Sequence, residues 1–158
     1  MKLRTFILLL FSHLFIAFLG VAIGIYSLPI ITAPPAPTLA KIEKISLAAD
    51  YTTQFKINLK GSDIFHWGEG EVSVGEDYIT LKGELAPGPD YKLYLSPKFV
   101  ETEAEFEQLK HSMIQLGDVT TFENFIVEIP PYTQLELFNT VVVWCESFNE
   151  FITSAKYR

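Results

Sequence analysis

Asn139-Thr-Val-Val-Val-Trp-Cys145 is the most β-prone run of the chain, and its reading decides the fold. Three consecutive valines and a tryptophan fit a pleated, packed strand better than a helix. Side chains of a regular strand alternate, so Val141, Val143 and Cys145 share one face and Val142, Trp144 and Glu146 the other. Cys145 is the only cysteine, so no disulfide forms within the chain. Two readings of it stand side by side: a small apolar side chain at the end of a buried strand, or a working thiol. Burial and the next-door Glu146 carboxylate both raise a thiol pKa. No Lys, Arg or His lies within five positions to lower it. A thiol near the ordinary value of roughly 8.5 is only slightly ionised at neutral pH. If Cys145 is core packing, Cys145→Ser is expected to cost roughly 1–3 kcal/mol by burying a hydroxyl without a partner.

Working outward, further segments read as strands: Phe55–Leu59, Gly70–Val74, Tyr78–Leu85, Tyr91–Leu95 and Phe125–Ile129, with a last one after Phe148. Gly75-Glu76-Asp77 reads as a hairpin loop. Pro87 and Pro89 stiffen the turn Ala86–Asp90, and Pro130-Pro131 stops a strand because proline cannot donate to a ladder. Phe99–Gly117 breaks the pattern. Val100, Ala104, Phe106, Leu109, Met113 and Leu116 roughly follow helical spacing, which predicts one inserted helix of three to four turns. The expectation is a mostly β domain, a β-sandwich or partly closed barrel with one inserted helix.

The start of the chain is different in kind. No charged residue occurs from Thr5 to Ala40, and Phe6–Ile31 is long enough for the roughly 20 residues that cross a bilayer. Cleavable secretory signals have apolar cores of about 7–15 residues, so an uncleaved signal-anchor is the expectation, although Ala22-Ile-Gly24 has the small-x-small form of a cleavage site. Lys2 and Arg4 precede the span and no basic residue follows until Lys41. The positive-inside rule then puts the rest outside the cytoplasm. A single-pass protein of the inner (cytoplasmic) membrane follows, its C-terminal domain periplasmic if the source is bacterial. The division is residues 1–31 anchor, 32–50 Pro-rich linker with a short helix, and 51–158 β domain. Thr32–Thr38, TAPPAPT, is expected to act as a semi-rigid spacer that holds the domain off the membrane.

The chain carries 12 basic and 19 acidic side chains. Setting Lys2 and Arg4 aside leaves 10 against 19, a net of −9 outside the membrane. That balance disfavours nucleic acid as a partner, since its phosphates reward clustered Lys and Arg. No Gly-rich phosphate loop, G-x-S-x-G, H-E-x-x-H or C-x-x-C occurs. His66, beside Trp67 and the Gly68-Glu-Gly70 stretch, is either a ligand or an imidazole packed at a turn. No ligand spacing supports a metal site.

FHWGEGEVSV, GPDYKLYLS, LGDV, FIVEIP and LELFNTVVVWCESFNEFITSAKY, in that order, resemble the DM-thirteen domain over roughly Gly61–Arg158. This extracytoplasmic domain, often called an electron-transfer domain, accompanies DOMON domains in some animal proteins. The resemblance implies a compact β domain in which Cys145 is the signature cysteine, with a redox role as a bare thiol or as a ligand to a group such as haem. His66 matches a histidine common at that point of the family and becomes the first candidate partner. Gly88-Pro89-Asp90 matches the family's turn and reads as structural. Two departures stand out: the Glu101–Leu116 segment is longer than the usual connection, and no DOMON or cytochrome domain follows to receive an electron. The expectation is a membrane-anchored redox or cofactor-binding module centred on Cys145, with a separate redox or envelope protein as partner. The alternative is a non-catalytic interaction or structural module of the cell envelope with Cys145 as core packing. The module is expected to be an electron-transfer component rather than a self-contained enzyme.

Overall fold

The structure, a computed structural model, describes residues 3–158. Helix α1 (Leu3–Thr32) is followed by α2 (Leu39–Ser46) and strands β1 (Ala49–Phe55), β2 (Gly68–Gly75), β3 (Tyr78–Leu85) and β4 (Tyr91–Ser96). Helix α3 (Glu103–Leu109) continues as a 3₁₀ turn to Ser112 and leads to β5 (Ile114–Val119), β6 (Glu123–Glu128), β7 (Thr140–Cys145) and β8 (Glu150–Lys156). Two four-stranded sheets form, ordered β1-β2-β3-β6 and β5-β4-β7-β8, and every ladder is antiparallel. Among the described residues no ladder joins the sheets, so the domain is a sandwich and not a closed barrel.

Between the sheets lies the main core, with Val72, Leu81, Leu93, Phe125, Val141 and Val143 among its members. Each sheet also has a cover on its outer face. Over the first lies α2, capped by Thr38, whose hydroxyl accepts from the Lys41 N–H at 3.4 Å. It buries Ile42 and ties Ser46 to Thr80 at 3.0 Å. Over the second lies α3, whose Phe106 packs with Val142, Trp144 and Phe151. β7 is thus covered on both sides, and all six of its residues are buried. The expected alternation holds: Val141, Val143 and Cys145 face the main core, and Val142 and Trp144 face α3.

Three sequence expectations change. The helix expected over Phe99–Gly117 is shorter, and Ile114–Val119 is a strand. Val100, Phe106, Leu109 and Met113 do share one apolar cluster over β7, but Leu116 packs into the main core on the other face. The chain crosses the edge of the sandwich after Met113, which no single helix can do. The strand expected over Phe55–Leu59 ends at Phe55 for a similar reason: Phe55 belongs to the main core and Leu59 to the α3 cluster. The Pro-rich segment is not a free spacer. Ala33, Ala36 and Pro37 are partly covered, and the Pro37 carbonyl accepts from Asn124 Nδ2 at 3.5 Å.

α1 is long and apolar enough to cross a membrane. Within it, Ser12 Oγ and His13 Nδ1 both reach the Leu9 carbonyl, at 2.9 and 2.7 Å. Its C-terminal half touches the domain, where Tyr26 meets Phe65 edge-to-face with ring centroids 6.4 Å apart.

Candidate functional site

Cys145 ends β7, opposite Tyr91 on β4 and Glu150 on β8. Two turns with positive φ enclose it. One carries Asp90 (φ 55°) and the other Asn149 (φ 55°), residue types that tolerate this region. The turns are bonded together: the Glu146 N–H donates to the Asp90 carbonyl at 3.1 Å, and Ser147 Oγ donates to the Asp90 carboxylate at 3.1 Å. Lys92 holds that carboxylate at 2.8 Å and Asp118 at 2.7 Å. These two carboxylates push the Lys92 ammonium up to about 12. Gly88, Pro89 and Asp90 are therefore half of the Cys145 surroundings and not only a turn between strands.

Cys145 is 3% exposed, and its Sγ donates to the Pro89 carbonyl at 3.1 Å. Burial pushes the thiol above its ordinary value, and the negative charges of Asp90 and Glu150 add to this. The backbone N–H groups of Phe148 and Ser147 pull the other way. Glu146, expected to act on the thiol, does not. It points to the α3 side, where its carboxylate accepts from Lys110 Nζ at 2.7 Å and from the Tyr94 hydroxyl. Tyr91, fully covered, donates to the Ala86 carbonyl at 2.9 Å, and burial raises its phenol. Gly88 lies so close that a Cβ there would stand 2.3 Å from the Tyr91 hydroxyl.

His66 lies in a compact loop organised by Asp63. One Asp63 carboxylate oxygen accepts the N–H groups of Phe65 and His66 at 2.7 and 2.8 Å, and the other meets His66 Nδ1 at 3.0 Å. The Asp63 N–H donates back to the His66 carbonyl at 3.0 Å. Burial raises the Asp63 carboxyl, but the Phe65 N–H and the His66 ring outweigh it and hold the group below the usual range. With Nδ1–H turned to Asp63, a neutral His66 carries its lone pair on Nε2. Gly68–Gly70 is the start of β2.

Cys145 and His66 line one cleft of about 270 Å³, together with Tyr91, Phe148 and, from α1, Ile25 and Tyr26. Pro89, Tyr91, Phe148 and Tyr26 were not picked from sequence as site residues, Pro89 being read only as part of a turn. The signal for the first two was the Gly-Pro-Asp-Tyr run immediately before a strand. Nothing in the sequence pointed to Tyr26. Among the described residues, no group of three or more His, Cys, Asp or Glu is placed to hold a metal ion. A haem does not fit the cleft as folded. Its volume lies at or below the lower end of the roughly 300–1,000 Å³ typical of pockets for drug-sized molecules, and the sulfur is committed to Pro89.

A comparison with curated proteins and one with solved structures each return no match. The family model described as "Electron transfer DM13" matches residues 52–157, from β1 to the end of β8. The motifs that meet around the cleft all fall inside that span, and this chain belongs to the DM13 electron-transfer family.

Proposed function

We propose that this chain is a single-pass, membrane-anchored redox module whose working site is the cleft shared by Cys145 and His66. Membership in an electron-transfer family gives the redox role its coarse outline and calls for a redox partner. The observation that carries the finer reading is the convergence of a lone thiol and an oriented imidazole on one cleft. Oxidation of Cys145 by one electron releases the thiol proton. Pro89 accepts a hydrogen bond from the thiol, and His66, which lines the same cleft, is the base that takes the proton. The electron leaves to an acceptor on a separate redox protein. Lys2 and Arg4 orient α1, so the domain sits outside the cytoplasm, on the outer face of the cytoplasmic membrane.

The test is the accessibility of the thiol in the folded, full-length chain. Cys145 is expected to react with a small thiol reagent without unfolding, slowly at neutral pH and faster above the ordinary thiol range. His66→Gln is expected to slow that reaction. A thiol that stays unreacted until the chain unfolds, with no visible absorption band in the purified protein, overturns the proposal.

A second reading has its own observation. Cys145 is 3% exposed and its thiol proton is held by a carbonyl, as suits a cysteine that packs a core. In that reading the domain is a structural or interaction module of the envelope. A Cys145→Ser chain that folds and retains every cellular redox phenotype selects it.

A further inference from the structure

Ile64, Phe65 and Phe148 are large apolar side chains left 81%, 55% and 51% exposed. They are not scattered. Phe65 and Phe148 line the Cys145 cleft together with Ala22, Ile25 and Tyr26 of α1, and Ile64 is next to Phe65. Nor are Ile64 and Phe65 on a loose loop, because the four bonds around Asp63 fix the backbone that projects them. An exposed pair held out by a rigid turn needs an apolar partner or stands at a cost.

The position of α1 says which partner. About 20 helical residues at 1.5 Å each cross the roughly 30 Å hydrocarbon layer. Counted from Phe6, just past Arg4, that stretch ends at Ile25. Tyr26 then falls at the outer boundary between acyl chains and headgroups, where tyrosine is enriched. Tyr26 is the residue whose ring meets Phe65. The exposed trio therefore gathers at the depth where α1 leaves the bilayer. The acidic domain gives no electrostatic pull to anionic lipid, so the attraction is apolar.

We infer that Ile64, Phe65 and Phe148 form a docking lip that inserts into the acyl–headgroup boundary of the outer leaflet. The Cys145–His66 cleft then opens onto the membrane surface instead of bulk water. This inference rests on the membrane-anchored reading proposed above.

The test uses the full chain in vesicles of zwitterionic lipid. A nitroxide is attached at Ile64→Cys or, as a control, at Tyr132→Cys, each in a Cys145→Ser background. Tyr132 is fully exposed and follows β6 at the opposite end of the first sheet from the entry to β2. The Ile64 label is expected to collide several-fold more with dissolved oxygen than with a water-soluble nickel chelate, relative to the Tyr132 label. Equal behaviour of the two labels overturns the lip. Where a label disturbs folding, the unmodified chain is read through its tryptophans, of which Trp67 adjoins the loop. Lipids brominated high in the acyl chain are expected to quench its emission, and no quenching counts against the lip. Fractionation separates the two proposals. A chain that stays in the membrane while its Ile64 label meets water refutes the lip alone. A chain released with a shortened N-terminus refutes the anchor.

Discussion

Trp144 lies flat against Phe106, ring centroids 3.9 Å apart, in a filled pocket roofed by Lys110, while Cys145, the next residue, faces two turns and an open cleft. One peptide bond separates a side chain that fixes the strand from one that the strand presents. The two faces of β7 do different work. On the α3 side Val100, Phe106, Val142 and Phe151 close around the indole with no exposed edge. On the other side the sandwich ends at Cys145, and two turns together with the Tyr91 and Phe148 side chains continue an enclosure that stays open as a cleft. The difference teaches that rigidity and access are divided between faces of a single strand.

The sharpest way to break this division is to empty the packed face. Trp144→Ala removes the largest fully buried side chain and its stack on Phe106. Loss of such a side chain costs about 3–5 kcal/mol. The Trp144 Nε1 has no hydrogen-bond partner among the described residues, so the truncation breaks no hydrogen bond, and removing a buried unpaired N–H trims the loss toward the lower end of that range. Denaturant unfolding of the full chain in detergent is the measurement. A loss under about 1 kcal/mol would mean that the α3 face does not hold β7.

Gly88→Ala strikes the other face next. The new methyl would meet the Tyr91 ring, which is buried and bonded to Ala86 and cannot swing away cheaply. Overpacking of this kind costs about 1–3 kcal/mol. Because the same turn supplies the Pro89 carbonyl, the thiol's reactivity is expected to rise along with the loss of stability. Alkylation rates and unfolding curves on one sample check both.

How much of this could be read beforehand depends on the range of the interaction. The alternation of Val141, Val143 and Cys145 is a property of consecutive residues, and the sequence reading of it survives intact. The same holds for the packing of Val100, Phe106, Leu109 and Met113, which local spacing captures. β5 was hidden because Leu116 continues a helical-looking stripe while packing, with Ile114, into a different core. The meeting of His66, Pro89 and Cys145 depends on the β4–β7 register and on the Asp63 turn, and neither is encoded in local periodicity. The family resemblance named the same residues but carried no distances, so the Gly-Pro-Asp turn passed as a mere connection.

Cys145→Ser sharpens the comparison at lower cost. A hydroxyl buried without a partner would lose roughly 1–3 kcal/mol. Here the Pro89 carbonyl already accepts from the sulfur at 3.1 Å and is available to a hydroxyl. The expected loss is therefore about 1 kcal/mol, near the worth of one hydrogen bond. A loss above about 3 kcal/mol in an unfolding titration would mean that the larger sulfur is needed for packing, and would favour the structural reading.

The smallest effect belongs to the roof over Trp144. Burial raises the Glu146 carboxyl, but Lys110 and Tyr94 outweigh it and hold the group below the ordinary glutamate value. A carboxyl lowered on folding stabilises the fold above its unfolded pKa, roughly 4.3. That contribution fades as pH falls through the still lower folded value. Both partners are partly open to solvent, 39% for Lys110 and 24% for Glu146, so screening keeps the pair to about 0.5 kcal/mol. Glu146→Gln is expected to lose that amount at pH 7, and its gap to the parent chain is expected to close as acidification protonates the lowered Glu146 carboxyl. Because Glu146 faces α3, the variant is also expected to leave the alkylation rate of Cys145 unchanged. A change in thiol reactivity without a change in stability would show that the two faces of β7 are coupled through the Glu146–Asp90 backbone bond, and the division between them would fail at that one link.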